Sequence, residues 1–236
     1  GAQVLVLERF SGGGGTTALS TGLIYLGGGT PVQKACGFED TPEEMYKYLM
    51  AASGPGEDEA KIRLFCDQSV EHFHWLVKQG VPFKESYYDG GAYTPTDDCL
   101  SYSGSELAYP YKDIAKPAPR GHTAQHAGIE AGGLLMQKLI PAVSRAGAHI
   151  QCDTLVETLI RNDAGRVVGV VAKHERAERC YRARRGVVLC AGGFINNREM
   201  VRRHAPLLAK CKYRLACDGD DGRGIRMGMG AGGAAI

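Results

Sequence analysis

The first residues of the chain constrain its fold more than any other part of the sequence. Residues 4–7 read Val-Leu-Val-Leu, a continuous apolar run typical of a strand buried on both faces of a parallel sheet. Glu8 follows at the carboxyl end of that strand, where dinucleotide-binding folds place an acid that accepts hydrogen bonds from a ribose. Two interpretations stay open: a core strand with an acid at its edge, or a nucleotide-binding unit whose glycine turn would lie upstream.

Glycine is the unusual component of the composition. The chain has 33 glycines, and many fall in clusters that each adjoin an apolar segment: SGGGGTT, LGGGT, AGGLL, CAGGF and DGDDGRGIRMGMGAGGAA. Glycine beside a core strand marks a tight turn or a close approach of the backbone to a ligand. The clusters therefore indicate one extended ligand along the ends of a sheet, or a set of ordinary turns.

Composition excludes several classes of function. In the 236 residues the formal net charge is only +2, which does not argue for a nucleic-acid partner or an anionic membrane surface. No apolar run approaches the roughly 20 residues of a transmembrane helix. The eight cysteines show no C-x-x-C spacing, which predicts free thiols, no metal site and a cytoplasmic location.

The middle of the chain reads as helical. Thr41 is expected to cap a helix that begins at Pro42, with Glu44 completing a capping box. A second helix is expected over residues 57–80, with one apolar face made of Ile62, Phe65, Val70, Phe73, Leu76 and Val77. His72 and His74 lie on that helix two residues apart and point in different directions, so they are not expected to form a site.

Residues 83–119 read as a long irregular excursion, followed by Arg120, His122 and a helix that contains Pro141, where we expect a kink or a break. The excursion is rich in aromatic rings, which suit an apolar fused-ring ligand or simply pack a surface loop: Phe83, Tyr87, Tyr88, Tyr93, Tyr102, Tyr109 and Tyr111.

The last third reads as strands. Residues 149–174 predict two strands, a turn at Asp163-Ala164-Gly165 and a third strand. An apolar strand is then expected over Val187 to Cys190, and it runs into Ala191-Gly192-Gly193. A strand that ends in glycines brings backbone N–H groups close to a ligand.

Five segments, taken in order, resemble flavoproteins of the fumarate reductase and succinate dehydrogenase superfamily. They are the opening strand with Glu8, TTALSTG, DTLVETLI, VVLCAGGF and GDDGRGIRMG. Three further segments are most similar to the 3-ketosteroid dehydrogenase branch: GGGTPVQKACGFEDTPEEMYKYL, SVEHFHWLVKQGVPF and PAPRGHTAQHAG. The resemblance covers nearly the whole chain.

The resemblance implies an α/β fold: an FAD-binding, Rossmann-like domain of the glutathione-reductase type, with a parallel sheet, a β-meander and a helical insertion. Residues 1–30 and 148–236 would form the nucleotide-binding core, and residues 41–147 the mainly helical and loop insertion. The first βα unit and a cap domain of the family are not matched in the sequence. We therefore expect a partial FAD-binding domain that is inactive by itself.

The resemblance also assigns cofactor-binding roles. Glu8 would hold the adenosine ribose of FAD, Thr16 and Thr17 would line the cofactor, and Thr21 and Gly22 would lie beside the isoalloxazine ring. The backbone of Val156 would meet the adenine, and Ala191 and Gly192 would close over the cofactor. Where the family has Gly-Asp-Gly, this chain has Gly222-Arg223-Gly224, so the role of the acid is transferred to Asp221.

The activity that the resemblance implies is oxidation or reduction of a CH–CH bond, most closely dehydrogenation of a 3-ketosteroid with an electron acceptor as partner. Reduction of a small dicarboxylate such as fumarate, and an inactive flavin-fold remnant, are the alternatives. The family's catalytic residues fall outside the matched segments, so none is assigned. Arg120 and His122 could reach a substrate or form a structural pair.

Overall fold

The structure is a computed structural model that describes residues 1–91 and 95–234. The chain divides into two compact units. The first combines Gly1–Leu19 with Val143–Ile236, and the second is the continuous stretch Ser20–Ala142. The sequence-based division into residues 1–30 with 148–236, and residues 41–147, stays a prediction about domains.

The helices and strands are short, and most are joined by turns. In chain order they are β1 (Leu5–Leu7), α1 (Gly15–Ala18), β2 (Leu23–Tyr25), α2 (Pro31–Ala35), α3 (Pro42–Ser53), α4 (Glu59–Asp67), α5 (Ser69–Lys78), β3 (Leu100–Ser101), α6 (Tyr111–Ile114), β4 (Gly121–Thr123), α7 (Ala131–Arg145), β5 (His149–Gln151), β6 (Thr154–Arg161), β7 (Val167–His174), β8 (Ala177–Arg182), α8 (Arg198–His204) and α9 (Arg223–Gly230). None of the helices within the described ranges has the length and hydropathy needed to span a bilayer.

In the first unit, β1 pairs in parallel with β5, and the backbone N–H of Glu8 extends the pairing to the carbonyl of Gln151 at 2.9 Å. The expectation that this strand is buried on both faces is wrong. Leu5 is 44% exposed and Val6 is 38% exposed, because β5 is the one strand that pairs with β1 in the described part of the chain.

The expected strands of residues 149–174 are confirmed, and an additional strand completes an antiparallel meander in the order β6–β7–β8. The turn lies where it was predicted: the N–H of Gly165 donates to the carbonyl of Asn162 at 2.9 Å, and Gly165 has a left-handed φ of 78°. The side chain of Asn162 also accepts the N–H of Arg166 at 2.9 Å, which ties the two ends of the turn together.

The strand expected over Val187 to Cys190 does not form. None of the described strands hydrogen-bonds to these residues, and Val188 is 86% exposed. An apolar run indicates a buried strand only where another strand pairs with it.

The second unit is built on a three-stranded sheet in the order β2–β4–β3, with antiparallel pairing throughout. Its buried apolar core draws on the sheet, on α2, α5 and α7, and on the loops between them: Leu26, Val32, Phe73, Leu76, Val81, Leu100, Ala124, Ala131 and Leu135.

Helix α3 begins as predicted, since Thr41 accepts the N–H of Glu44 at 3.1 Å and Pro42 occupies the first turn. A reciprocal capping box is present at α2 instead, between Thr30 and Gln33.

The single helix expected over residues 57–80 is two helices, α4 and α5, which meet at Gln68. The break changes the buried face: Phe73 and Leu76 are buried as expected, whereas Phe65 and Val77 are exposed. Of the kink or break expected at Pro141, the break does not occur: α7 continues through the proline.

Gly22 fixes how closely the chain approaches the start of α7. It is buried with a left-handed φ of 66°, and a Cβ placed on it would lie 2.5 Å from the N atom of Gly132 and 2.6 Å from the carbonyl carbon of Ala131. The requirement for glycine at this position therefore comes from the packing of the protein itself.

We predict that Gly22→Ala destabilises the protein by about 1–3 kcal/mol more than Gly37→Ala, measured by urea unfolding. Both glycines have left-handed φ values, 66° and 80°, so the backbone strain is matched, but nothing lies within 4 Å of a Cβ at Gly37. Equal destabilisation by the two substitutions would show that steric contact with α7 is unimportant.

Candidate functional site

Glu8 lies at the carboxyl end of β1 and is oriented by the backbone around it. Its Oε1 atom accepts the N–H of Phe10 at 2.8 Å, and its carbonyl accepts the N–H of Thr154 at 2.8 Å. Oε2 has no hydrogen-bond partner within the described residues. The carboxylate is thus held in place with one oxygen available to accept hydroxyl groups, as its predicted role requires.

The glycine turn after Glu8 presents a row of backbone donors. Gly14 and Gly15 have positive φ values of 130° and 50°, and the backbone N–H groups of residues 12–16 find no acceptor in the part of the chain that the structure describes. Consecutive free N–H groups in such a turn favour an anion. Side by side, an acceptor for hydroxyl groups and donors for phosphate fit the ribose and pyrophosphate of a dinucleotide.

Asp220 organises this turn, and the sequence analysis missed it. The residue is 8% exposed; its Oδ2 accepts the hydroxyl of Thr16 at 2.6 Å, and its Oδ1 accepts the N–H of Gly193 at 3.1 Å. Thr16 in turn accepts the N–H of Cys217 at 2.9 Å. The contacts join three glycine-rich segments that lie far apart in the sequence, and only the pairing of two adjacent acids hinted at the role of Asp220.

Asp221, the acid chosen from the sequence, points to different partners. It accepts Arg9 at 2.9 Å and the N–H of Arg223 at 3.0 Å. Partial burial raises the pKa of this carboxyl, but the N–H of Arg223 and the guanidinium of Arg9 outweigh burial and hold the pKa below its usual value. Its role toward the cofactor stays a prediction.

The other predicted cofactor residues are spread over both units. Thr17 lies on the exposed side of α1, and Val156 is half-buried in β6, where it pairs with Ala172. Ala191 and Gly192 are exposed, and Gly192 is left-handed with Asp220 occupying the space of a Cβ. Thr21 and Gly22 belong to the second unit, so their relation to Glu8 stays a prediction.

Arg120 and His122 are structural in this fold. Both are completely buried on and beside β4. Arg120 forms a two-pronged ion pair with Asp40, with distances of 2.9 Å from Nε and 2.7 Å from one terminal nitrogen. The other terminal nitrogen has no hydrogen-bond partner within the described residues, and the guanidinium lies 5.6 Å from the ring centre of Tyr48.

The hydrogen bonds of His122 fix its tautomer. Nδ1 lies 3.1 Å from the carbonyl of Arg120 and therefore donates, so Nε2 accepts the hydroxyl of Thr30 at 2.8 Å. Burial is the main reason that the pKa of His122 is lowered to about 4. A neutral ring with both nitrogens engaged cannot act as a base toward a substrate.

The aromatic residues of the excursion pack largely on one another and on the core. The ring centres of Phe38 and Tyr87 are 4.9 Å apart, and those of Phe73 and Phe83 are 4.8 Å apart. Tyr109 is 79% exposed, and Tyr93 lies outside the described residues. These contacts favour the loop-packing interpretation.

A family model described as FAD binding domain matches residues 1–236. The chain belongs to the FAD binding domain family. FAD is the cofactor that this family implies, and the glycine turn and Glu8 fit it. The resemblance to flavoproteins and the prediction of an FAD-binding α/β fold with parallel and antiparallel sheets are thereby confirmed.

The chain is also similar to individual steroid dehydrogenases. The chain is 50% identical to 3-ketosteroid-Δ4-(5α)-dehydrogenase from Rhodococcus jostii RHA1 in complex with 4-androstene-3,17-dione, with a TM-score of 0.92 over 98% of this chain and 49% of that chain. It is 36% identical over 182 residues to 3-oxo-5-alpha-steroid 4-dehydrogenase from Comamonas testosteroni, covering 72% of this chain and 32% of the relative.

A more distant structure shares the fold. The open conformation of a flavocytochrome c3 fumarate reductase matches with a TM-score of 0.76 and 22% identity, over 97% of this chain and 40% of that chain. In each of these three comparisons the chain spans less than half the length of the protein it matches.

We predict that Thr16→Val destabilises the protein by about 1–3 kcal/mol, because the buried carboxylate of Asp220 loses a donor and the N–H of Cys217 loses an acceptor. Denaturant unfolding measures the change. Ser11→Ala removes the solvent-exposed bond between Ser11 and Asp153 and serves as the control, for which we expect little change. If Thr16→Val is as stable as the Ser11→Ala control, Asp220 does not organise the glycine turn through Thr16.

We predict that His122 makes stability depend on pH. Its pKa of about 4 in the fold lies below the usual 6.5. Between these values the unfolded chain binds a proton that the folded protein excludes, so stability is lost as pH falls from about 6.5 to about 4. Unfolding free energies at pH 7, 6 and 5 should therefore fall less steeply in His122→Gln than in wild type. His72→Gln, at an exposed position, should keep the wild-type slope.

Proposed function

We propose that the protein is an FAD-dependent oxidoreductase that dehydrogenates a CH–CH bond beside the ketone of a 3-ketosteroid. The observation that carries the proposal is 50% identity over 98% of this chain to the 3-ketosteroid-Δ4-(5α)-dehydrogenase of Rhodococcus jostii RHA1, whose structure holds 4-androstene-3,17-dione. When bound, FAD supplies the flavin ring that takes a hydride from the substrate. An electron acceptor is a partner that the reaction requires.

The residues of this chain serve to hold the cofactor. Glu8 would accept the ribose hydroxyl groups, and the free N–H groups of residues 12–16 would donate to the phosphates. Asp220 would keep this turn in place through Thr16, and no residue is assigned a catalytic role. A glutathione-reductase-type arrangement of the sheet and a cytoplasmic location are further parts of the proposal that come from the sequence.

The choice of a steroid rests on the comparisons and not on the aromatic excursion, whose rings pack within the protein. Reduction of a dicarboxylate such as fumarate is the second candidate. Its support is weaker, because the fumarate reductases compared with this chain are at most 24% identical to it. An inactive flavin-fold protein is the third.

We predict that Glu8→Ala weakens FAD binding by about 1.5–3 kcal/mol, since a hydrogen bond to a charged group is lost. Glu8→Gln should weaken it less, because the amide oxygen can still accept a hydroxyl. Flavin fluorescence on titration of the apoprotein measures both affinities. If FAD binds equally well to all three proteins, Glu8 is an edge acid and not a ribose ligand.

We predict that a full-length protein containing this chain, loaded with FAD, oxidises a 5α-saturated 3-ketosteroid with a phenazine dye as electron acceptor, and that it does not reduce fumarate with a reduced viologen dye. Both reactions are followed by the absorbance of the dye. Turnover of fumarate without any response to 3-ketosteroids would reverse the order of the two enzyme candidates. Stoichiometric FAD without either activity would favour the inactive flavin-fold protein.

A further inference from the structure

The overall charge of +2 conceals an uneven distribution. The first unit has 18 Lys and Arg against 10 Asp and Glu, which gives it a formal net charge of +8, and the second unit carries −6. Part of the excess lies in residues 200–217, here called the basic segment. It contains five cations and no acidic residue: Arg202, Arg203, Lys210, Lys212 and Arg214.

The five cations have no partner among the residues that the structure describes. All are exposed, and none of their side chains makes a hydrogen bond or an ion pair with any residue that the structure describes. Cations that hold the fold together are usually paired with carboxylates, as Arg9 is with Asp221 in the same unit. The basic segment therefore carries charge that the folded chain does not use.

Apolar side chains lie between these cations in the sequence and are also exposed. Leu207 is 75% exposed, Leu208 46%, Tyr213 90% and Leu215 97%. A single exposed leucine is ordinary, but four large apolar side chains within nine residues form a surface patch that calls for an explanation.

The basic segment is tied at its base. The side-chain amide of Asn196 donates to the carbonyl of Cys217 at 2.9 Å, which closes the segment into a loop. At one end Met200 and Val201 are buried at 7% and 5% exposure, and at the other Thr16 accepts the N–H of Cys217. The loop is thus anchored in the unit while the residues between present cations and apolar side chains to solvent.

We propose that the basic segment binds the surface of a lipid bilayer that contains anionic lipids. The cations pair with lipid phosphates, and Leu207, Tyr213 and Leu215 enter the boundary between headgroups and acyl chains. Charge complementarity selects an anionic partner. The leucines select a bilayer among anionic partners, because nucleic acid and acidic peptides offer them no apolar phase, and tyrosine favours the interface.

The proposal does not depend on the flavin or on the proposed substrate. If the substrate is a steroid, membrane contact would bring the protein close to its substrate, because an apolar ketone partitions into the same bilayer.

The test is co-sedimentation of the FAD-loaded protein with vesicles of phosphatidylcholine alone, or of phosphatidylcholine and phosphatidylglycerol in equal parts. We expect binding to the mixed vesicles only. The triple variant Lys210→Ser, Lys212→Ser, Arg214→Ser should lose roughly 100-fold in partition coefficient, at about fivefold per cation. The matched control Arg179→Ser, Arg182→Ser, Arg184→Ser removes equal charge from exposed positions on and after β8, and should bind nearly as wild type.

A second pair of variants tests the apolar contact. The double variant Tyr213→Ser, Leu215→Ser should lower the partition coefficient for mixed vesicles at least about tenfold. It should also abolish the vesicle binding that remains at high salt. In Leu215→Trp, the added fluorescence should shift to the blue with mixed vesicles and be quenched by brominated lipid. The native Trp75 in the second unit is subtracted as background.

Four results would overturn the proposal. They are no binding to mixed vesicles, equal loss in the two triple variants, equal affinity for a DNA duplex or polyglutamate, and no change in Leu215→Trp fluorescence. A dimer that Tyr213→Ser with Leu215→Ser abolishes, in a protein that ignores vesicles, would show that a second copy covers the patch instead. Near-ultraviolet circular dichroism confirms that each variant is folded.

Discussion

The ion pair between Arg120 and Asp40 is the interaction on which the second unit depends. Asp40 accepts two bonds from the guanidinium, and its Oδ2 also accepts the N–H of Gly28 and the amide of Gln33. One carboxylate therefore holds the strand region of Arg120, the glycine turn after β2 and the start of α2 together. A buried pair gains little over apolar packing, but removing one member leaves a buried charge and costs about 3–5 kcal/mol. Its main effect is to allow only one arrangement of these three segments.

The sequence predicted elements wherever the signal is local. Gly165 and Asn162 form the expected turn of the meander because each supplies a backbone conformation or a hydrogen bond within a few residues. Thr41 and Pro42 start α3 for the same reason. The predictions that failed required knowledge of a distant partner: residues 187–190 find no strand to pair with, and nothing in the apolar pattern marked the break at Gln68.

The candidate site shows the same limit. Glu8 and the glycine turn could be chosen from the sequence, because an acid and free N–H groups beside one strand have a recognisable chemistry. Asp220 could not, since its partner Thr16 lies 204 residues away. By sequence the glycine clusters indicate either ligand approach or ordinary turns, yet in the structure Gly22 makes room for α7, Gly192 for Asp220 and Gly224 for Ala191. Glycine is required both where two backbone segments pack closely and where the backbone approaches a ligand, so the sequence alone does not distinguish the two causes.

The division of the first unit between the two ends of the sequence imposes an order on assembly. Residues 20–142 are continuous, so all the segments of the second unit are available once residue 142 has left the ribosome. The turn beside Glu8 must wait, because Asp220 and Cys217 are synthesised about 200 residues after the segment that they fix. Synthesis proceeds at roughly 5–20 residues per second, so the interval amounts to about ten seconds or more. The turn beside Glu8 can therefore take its final form only after residues 217–220 have been translated.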